Sequence, residues 1–352
     1  MISRKEVIFP AYLYGQTTGT RQGENTMITS LRHYSSQVTD PFKNIATEEY
    51  LTFHTGEQEC ILFLWQNSNT VVIGRNQNAY KECKVTKLEE NGGHLARRLS
   101  GGGAVFHDLG NLNFTFCIRK SEYDLDRQFG VILRAVNSFG LNAERTGRND
   151  ITIDGKKFSG NAFFSSGDYA YSHGTIMIDV NSAKLSDYLT VSEAKLKSKG
   201  VSSVKSRVVN LSELNPEITI ESMRKALVKA FEEEYGLSST EWKPEKEEWD
   251  EIEKGRQKFA SEEWRFGTNL SMSNELLHRF DWGELQVLLQ AESGVISNVK
   301  VYTDALDAEL SDKVQTALLG RKYRYEDLKE AAGQQNEEMV SEAVMWIAGS
   351  LE

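Results

Sequence analysis

The 352-residue chain reads as a mixed α and β protein in two parts, and three observations carry that reading. Short apolar or alternating runs, bounded by Gly, Asn and Asp turns, are interleaved with segments whose apolar residues recur at helical spacing. Hydrophobic residues are 39% and charged residues 26% of the chain, ordinary for a globular protein with a large core. From about residue 268 the pattern restarts, so a smaller α+β unit is expected over 268–352 after a larger one over 27–267.

Composition removes several classes of function. A net charge of −10 leaves no broad basic field for a nucleic acid, so no nucleic-acid partner is expected. Cys60, Cys83 and Cys117 are too few and scattered for a disulfide framework or a structural zinc site, which suits a reducing compartment. The six histidines include no HExxH spacing. No apolar run reaches the roughly 20 residues that a membrane-spanning helix needs, and no membrane partner is expected. Residues 1–26 read as an N-terminal extension. Its VIFPAYLYG patch is too short for a secretory signal, and Glu6 and Glu24 interrupt any mitochondrial leader.

The elements follow in order. Asp40-Pro41 has N-cap and N1 character, and helical periodicity to Phe53 puts Ile45, Glu48 and Thr52 on one face. A carboxylate there is ordinarily solvated. Residues 60–65, CILFLW, and 70–73, TVVI, are strands around the polar turn Gln66–Asn69, and Trp65 is ordinarily a core residue. Arg75 follows Gly74 at a strand end, and a short helix closing at Gly92 leads to Arg97 and Arg98.

The stretch RRLSGGGAVFHDLGN, 97–111, is the most telling. Gly101, Gly102 and Gly103 remove every Cβ from one turn, so φ > 0 is free and a ligand can approach bare backbone N–H groups. Beside two arginines this is chemistry for an anion. The loop lacks the Lys-Ser/Thr ending of a P-loop and the spacing of a dinucleotide fingerprint. Ala104–Phe106, a turn through Asp108–Asn111 and Leu112–Phe116 read as a β-hairpin with the glycine loop at its mouth.

Farther on, Phe129, Ile132, Leu133, Val136 and Phe139 mark a helix stopped by Gly140. Gly147-Arg148-Asn149-Asp150 precedes a strand, Asp154-Gly155 is a tight hairpin turn, and Lys156–Ala162 returns. Period-two alternation sends Lys157 and Ser159 to one face and Phe158 to the other. His173-Gly174-Thr175 opens another strand; the role of His173 stays open between ligand and core. Residues 195–207 carry five basic residues and no acid, ordinarily a solvated face. A helix through Ile220, Met223, Leu227 and Phe231 ends at Gly236, and the acidic stretch Glu245–Glu253 and Trp264–Gly267 close the larger unit. In the smaller unit Leu285, Val287 and Leu289, the Ser293-Gly294 turn, and Val299 and Val301 make a hairpin, followed by two helical segments.

RRLSGGGAVFHDLGN resembles the signature of the lipoate-protein ligase A family, and the likeness runs from about Met27 to the end. It includes N-x-A-x-E-E ending at Glu49, GRND ending at Asp150, KxSGxA from Lys157, His173-Gly174-Thr175 and K-G-x-x-S-V-x-S-R-V-x-N-L from Lys199. The resemblance implies an α+β fold: a mixed central β-sheet flanked by helices, related to biotin ligases and class II synthetase cores, with a small C-terminal accessory domain. It implies ATP-dependent ligation through lipoyl-AMP, with lipoate as substrate and ATP and Mg²⁺ as cofactors. The acceptor would be a lysine on the apo-lipoyl domain of a 2-oxoacid dehydrogenase or on the glycine-cleavage H protein, and the enzyme a monomer of the cytoplasm or the mitochondrial matrix.

Residue by residue, the resemblance makes Lys157 the catalytic cation. Attacking carboxylate and α-phosphate are both anionic, so a lysine between them relieves a repulsion that grows toward the transition state. Arg98 with Gly103, Ala104, Val105 and Phe106 would hold the adenylate, and Asn149 and Asp150 the nucleotide. Trp65, Glu48, Gly102 and His107 would meet lipoate. Mg²⁺ would be held mainly by phosphates, with Asp150 as its candidate side chain. The segment 195–207 would be a loop over the adenylate. Phe163 and Phe164 stand where some bacterial ligases carry an arginine, so that arginine's contacts do not transfer. A lipoyltransferase using preformed lipoyl-AMP and a noncatalytic lipoyl-domain-binding protein are the alternatives.

Overall fold

The computed structural model describes residues 27–147, 149–190, 208–266, 274–292 and 294–350. The N-terminal extension, Arg148, the basic segment 195–207, Gly267 and the expected unit boundary at 267/268 therefore lie outside the described residues.

The larger unit runs β1 (Ser30–Ser35), α1 (Pro41–Phe53), β2 (Glu59–Trp65), β3 (Thr70–Ile73), α2 (Ala79–Glu82), α3 (Val85–Glu90), β4 (His94–Arg97), β5 (Val105–His107) and β6 (Asn111–Arg119). It continues with α4 (Leu125–Asn137), β7 (Ala143–Thr146), β8 (Asp150–Ile153), β9 (Lys156–Ser166), β10 (Tyr169–Met177), α5 (Ser182–Tyr188), α6 (Leu211–Leu214), α7 (Ile220–Tyr235), β11 (Ser239–Glu241), α8 (Lys246–Ala260) and α9 (Glu262–Phe266). The smaller unit has β12 (Asn274–Phe280), β13 (Gly283–Glu292) and β14 (Val295–Thr303), then α10 (Leu310–Leu318), α11 (Tyr325–Gly333) and α12 (Glu338–Gly349).

Among the described residues an eight-stranded sheet has the order β11-β1-β2-β6-β10-β9-β8-β7, with β1 parallel to both β11 and β2 and the other pairs antiparallel. This is the mixed central sheet that was expected. Cys60, Leu62 and Leu64 of β2, with Leu112, Phe114 and Phe116 of β6, face one core that α4 and α7 complete through Phe129, Ile132, Leu227 and Phe231. Ile61, Phe63, Trp65 and Cys117 face the other core, covered by α1 and α8 through Ile45, Leu51, Ile252 and Phe259. Period-two alternation is thus read out as two cores on two faces.

Asp40 caps α1, its Oδ1 accepting from Phe42 N at 2.9 Å and Lys43 N at 3.2 Å. Gly236, in the left-handed region at φ 68°, ends α7. Asp154 and Gly155, at φ 51° and 74°, make the turn between β8 and β9.

The 104–116 hairpin does not form. β5 pairs antiparallel with β3, and β3 pairs parallel with β4, in a separate three-stranded sheet. β6 instead lies between β2 and β10 of the main sheet. The turn at Asp108–Gly110, with Gly110 N donating to Asp108 Oδ1 at 2.9 Å, carries the chain from one sheet to the other. A local turn signal identifies a reversal, but pairing partners are set by long-range packing. In the smaller unit the β13–β14 hairpin is present, with β12 as a third strand and three helices where two were expected. Its own core centres on Leu285, Val287, Leu310 and Val344.

Candidate functional site

The glycine loop joins the small sheet to the α1-side face of the main sheet. Arg97 and Arg98, read as one cationic pair, do different things. Arg97 donates to the carbonyls of Arg75 at 2.8 Å and Gln77 at 2.6 Å, and to those of Trp264 at 2.9 Å and Arg265 at 2.8 Å, so it ties the 74–77 turn to α9. Arg98 stays with the loop: Nε donates to Ser100 Oγ at 3.0 Å, and Nη2 to the carbonyls of Gly101 at 2.7 Å and Gly103 at 2.9 Å. Burial lowers the Arg98 guanidinium to about 10, which leaves it charged at neutral pH.

With the Gly101 and Gly103 carbonyls turned to Arg98, the loop turns the Gly102 amide toward the smaller unit. Gly102, at φ 93°, donates its N–H to the Ala305 carbonyl of the smaller unit at 2.8 Å. A carbonyl oxygen thus sits on the donor that the sequence suggested for an anion. The glycines divide the steric work. A Cβ on Gly101 would lie 2.4 Å from the Ala305 oxygen and 2.5 Å from that of Leu306, whereas one on Gly103 would meet nothing within 4 Å. Gly74 backs the loop, since a Cβ there would lie 2.2 Å from the Gly102 oxygen.

Lys157 comes to this face by a register shift. β8 and β9 pair Thr152 with Lys157 but Ile151 with Ser159, so Phe158 is an extra residue in β9. Phe158 is buried in the core beneath α4 and α7, and Ser159 is buried within hydrogen-bond reach of Asn161 Nδ2 on the same side. Beyond the bulge Gly160 and Ala162 face the site. The expectation that Lys157 and Ser159 share a face is therefore corrected: the bulge flips the alternation between 158 and 159.

Lys157 Nζ lies 2.6 Å from Asp150 Oδ1, with both side chains partly exposed. Gly160 makes room for it, since a Cβ there would stand 2.9 Å from Nζ. The position of a Cβ on Gly102 falls 4.0 Å from Ala162 Cβ, so loop and lysine strand meet. Asn149 ties this corner to β9, its Nδ2 donating to the Asn161 carbonyl at 2.9 Å while its own carbonyl accepts from Asn161 N at 2.8 Å.

Behind the loop lies a buried polar network. Glu48 is wholly buried; its Oε1 accepts from Thr115 Oγ1 at 2.7 Å and from His173 Nδ1 at 2.8 Å. Trp65 Nε1 donates to Thr115 Oγ1 at 3.1 Å. Ser100 Oγ lies 2.8 Å from His173 Nε2. The solvated carboxylate of the bare sequence reading is thus a buried one, and His173 belongs to this network. Trp65 stacks beside Phe63 and meets His107 edge-on, with centroids 6.2 Å apart.

His107 is buried too. Asn67 Oδ1 accepts from Asn44 Nδ2 at 3.1 Å, which turns Asn67 Nδ2 toward His107 Nδ1 at 3.3 Å and leaves the ring proton on Nε2. Burial, with the Arg98 charge, lowers His107 to about 3, so it is a neutral donor. His107 Nε2, Asn113 Nδ2 and Glu48 Oε2 are buried with no protein partner, an unusual concentration of unsatisfied atoms in one place. Sequence reading passed over Asn44, Asn67, Ser100, Asn113 and Thr115. A polar residue at the alternate positions of an otherwise apolar strand, as in Leu112–Ile118, was the signal for two of them.

The bulged lysine strand, the glycine loop and the buried polar network meet on one α+β core. Residues 40–232 match the family model of the lipoyl protein ligase A/B catalytic domain, and residues 269–343 match that of the bacterial lipoate protein ligase C-terminus. The chain is 39% identical over 336 residues to lipoate-protein ligase A of Psychrobacter cryohalolentis, covering 92% of this chain and 99% of that protein. The structure of P. falciparum LipL1 in complex with lipoate is similar at a TM-score of 0.79 and 30% identity, over 91% of this chain and 100% of that one. A lipoate-protein ligase A bound with ATP is similar at a TM-score of 0.58 and 25% identity, over 68% of this chain and 99% of that one. The chain belongs to the lipoyl protein ligase A/B family, and it carries the C-terminal part of the bacterial lipoate ligases as well.

Proposed function

We propose that the protein is an ATP-dependent lipoate-protein ligase and that Lys157 is its catalytic cation. Family membership carries the reaction; the placement of Lys157 on a bulged strand beside the glycine loop carries the residue assignment. In the first step a lipoate carboxylate oxygen attacks the α-phosphorus of ATP, the bond to the β-phosphate oxygen breaks, and pyrophosphate leaves. Lys157 exchanges Asp150 for the two converging anions and lowers their repulsion. The Ala104 amide, and the Gly102 amide once the Ala305 carbonyl withdraws, meet the phosphate, while Arg98 holds the Gly101 and Gly103 carbonyls away. In the second step a partner's lysine amine attacks the acyl carbonyl and AMP leaves. Trp65 and His107 offer an apolar wall and a neutral donor to lipoate.

Mg²⁺ fits as a phosphate-held ion. Among the described residues no group of three or more His, Cys, Asp or Glu side chains could hold a metal, and Asp150 is paired with Lys157. Its part would be to neutralise phosphate charge, with Asp150 the side chain placed to join it once Lys157 turns away. The two separate cores support a catalytic unit of 27–267 and an accessory unit of 268–352. The acceptor is an apo-lipoyl domain or glycine-cleavage H protein, and the compartment the cytoplasm. No helix among the described residues is long and apolar enough to cross a membrane.

Lipoate-dependent exchange of labelled pyrophosphate into ATP tests the reading. The full chain should exchange, and Lys157→Ala should lose about a hundredfold or more. A folded full chain that does not exchange, yet transfers from supplied lipoyl-AMP, is a lipoyltransferase instead.

A further inference from the structure

β9 loses its neighbour strand where it carries the lysine. β9 and β10 pair from Ser166 with Tyr169 to Asn161 with Gly174, after which, among the described residues, β10 continues beside β6 only. On the other side the bulge at Phe158 interrupts the ladder to β8. With the gap beside it open, Lys157 would sit on a strand end held by little more than its chain neighbours. Residues 208–212 fill that gap. Val208 bridges Lys157 in parallel, and the buried Val209 donates its N–H to the Lys157 carbonyl at 3.0 Å. Ser212 N donates to the Ile178 carbonyl at 3.1 Å, so this strap runs from β9 to the exit of β10.

Asn210 fastens the strap. It stands at the N-cap of α6, where an asparagine side chain ordinarily accepts from the first turn, yet it makes no such bond. Its amide instead reaches back 30 residues: Oδ1 accepts from Val180 N at 3.0 Å, and Nδ2 donates to the Val180 carbonyl at 3.1 Å and to Glu213 Oε1 at 3.1 Å. A side-chain amide holds donor and acceptor side by side, as answering both backbone groups of one residue requires. The Val180 stretch is anchored in turn, since Ile178 N and Asp179 N both donate to the Gly110 carbonyl at 3.0 Å. A peptide is planar, so holding the Lys157 carbonyl toward Val209 also fixes the plane that leads into the bulge, and with it the direction in which the lysine leaves the strand. Resting on the ligase reading, we propose that Asn210 is a positioning residue for Lys157 that acts through the 208–210 strap and touches neither nucleotide nor lipoate.

The experiment measures lipoate-dependent pyrophosphate exchange, and backbone hydrogen–deuterium exchange, in the full chain carrying Asn210→Ala or Asn210→Asp, and Asn210→Ala in the Lys157→Ala background. Asn210→Ala should lower kcat of pyrophosphate exchange by about tenfold with KM for ATP within about threefold, because a misplaced reacting group costs rate more than binding. In the Lys157→Ala background the same change should cost no more than about twofold, since the residue it positions is gone. The Val209 amide should exchange its hydrogen faster in Asn210→Ala while that of Phe116 stays protected. Asn210→Asp is isosteric and keeps the acceptor for Val180 N, so it reads the strap even where Asn210→Ala folds poorly, with a loss of about threefold or more. Asn215→Ala, which removes a bond of the same kind to the Phe139 carbonyl at 3.0 Å, should keep pyrophosphate exchange within about twofold. Parental activity in both Asn210 variants, an undiminished loss in the Lys157→Ala background, unchanged protection at Val209 or an equal loss in Asn215→Ala would each overturn the proposal. Absence of pyrophosphate exchange in the unaltered protein would instead remove the ligase reading beneath it.

Discussion

On the proposed reading, the ion pair of Lys157 and Asp150 holds the site ready. At 2.6 Å and partly exposed, the pair is screened by solvent and contributes little to stability, so its exchange for a bound anion is easy. Asp150→Asn should therefore leave Tm within a few degrees while changing the ATP dependence of exchange, and an unfolded variant would contradict this account. His107 makes the opposite case. Its folded value of about 3 lies below the ordinary 6.5, so between those pH values the unfolded chain binds a proton that the folded one refuses. The stability it confers is complete above pH 6.5 and is lost as pH falls, by about 1.4 kcal/mol per unit. Denaturant melts at pH 6.5 and pH 5 should show this slope and His107→Gln should flatten it; equal slopes would place the titration elsewhere.

The decisive element is β9. With Gly160 and Ala162 facing the site, a regular strand would turn Phe158 to that face and bury Lys157, because period two cannot put Lys157, Gly160 and Ala162 on one face. The extra residue at the bulge resolves that conflict, and Gly160 then leaves room for the lysine stem. Gly160→Ala meets only the far end of a flexible side chain, 2.9 Å from Nζ. The variant should thus melt near the parent temperature while exchange falls about tenfold, since small misplacements of reacting groups are costly in rate. A loss of stability matching the loss of activity would mean that the bulge itself had collapsed.

Across the whole molecule the glycine loop is shared by both units. Thr303 N donates to the Asn76 carbonyl at 2.9 Å, Asn76 Nδ2 to that of Ala308 at 2.7 Å, and Gly102 N to that of Ala305 at 2.8 Å. Lys81 and Glu275 form a further ion pair across the contact. Gly101 is close-packed against the 305–306 backbone, whose two carbonyl oxygens leave no space for a methyl group. Gly101→Ala should therefore loosen the smaller unit without unfolding either core. Hydrogen exchange should quicken at Gly102 and Thr303 while Leu64 and Val344 stay protected, and unchanged protection at Gly102 would refute the steric account.

Most elements were legible from local physics. The Asp40 cap, the Asp154-Gly155 turn and the Gly236 stop are short-range events, decided by a few neighbouring residues, and the structure has them where the residues put them. Family likeness reached farther and marked Lys157, Glu48 and the loop, because motif spacing preserves chemistry without showing contacts. Left to tertiary structure were the facts that depend on partners distant in the chain: β5 pairing with β3 instead of β6, the bulge at Phe158, and the different tasks of Arg97 and Arg98. The same holds for the bonds from Glu48 to Thr115 and His173, 67 and 125 residues away. Periodicity and turn chemistry act over a few residues, so sequence alone determined which segments form strands and helices and which side chains are chemically apt. Register and the ends of buried hydrogen bonds are settled only when non-local packing brings the segments together, and that is what the folded molecule decided.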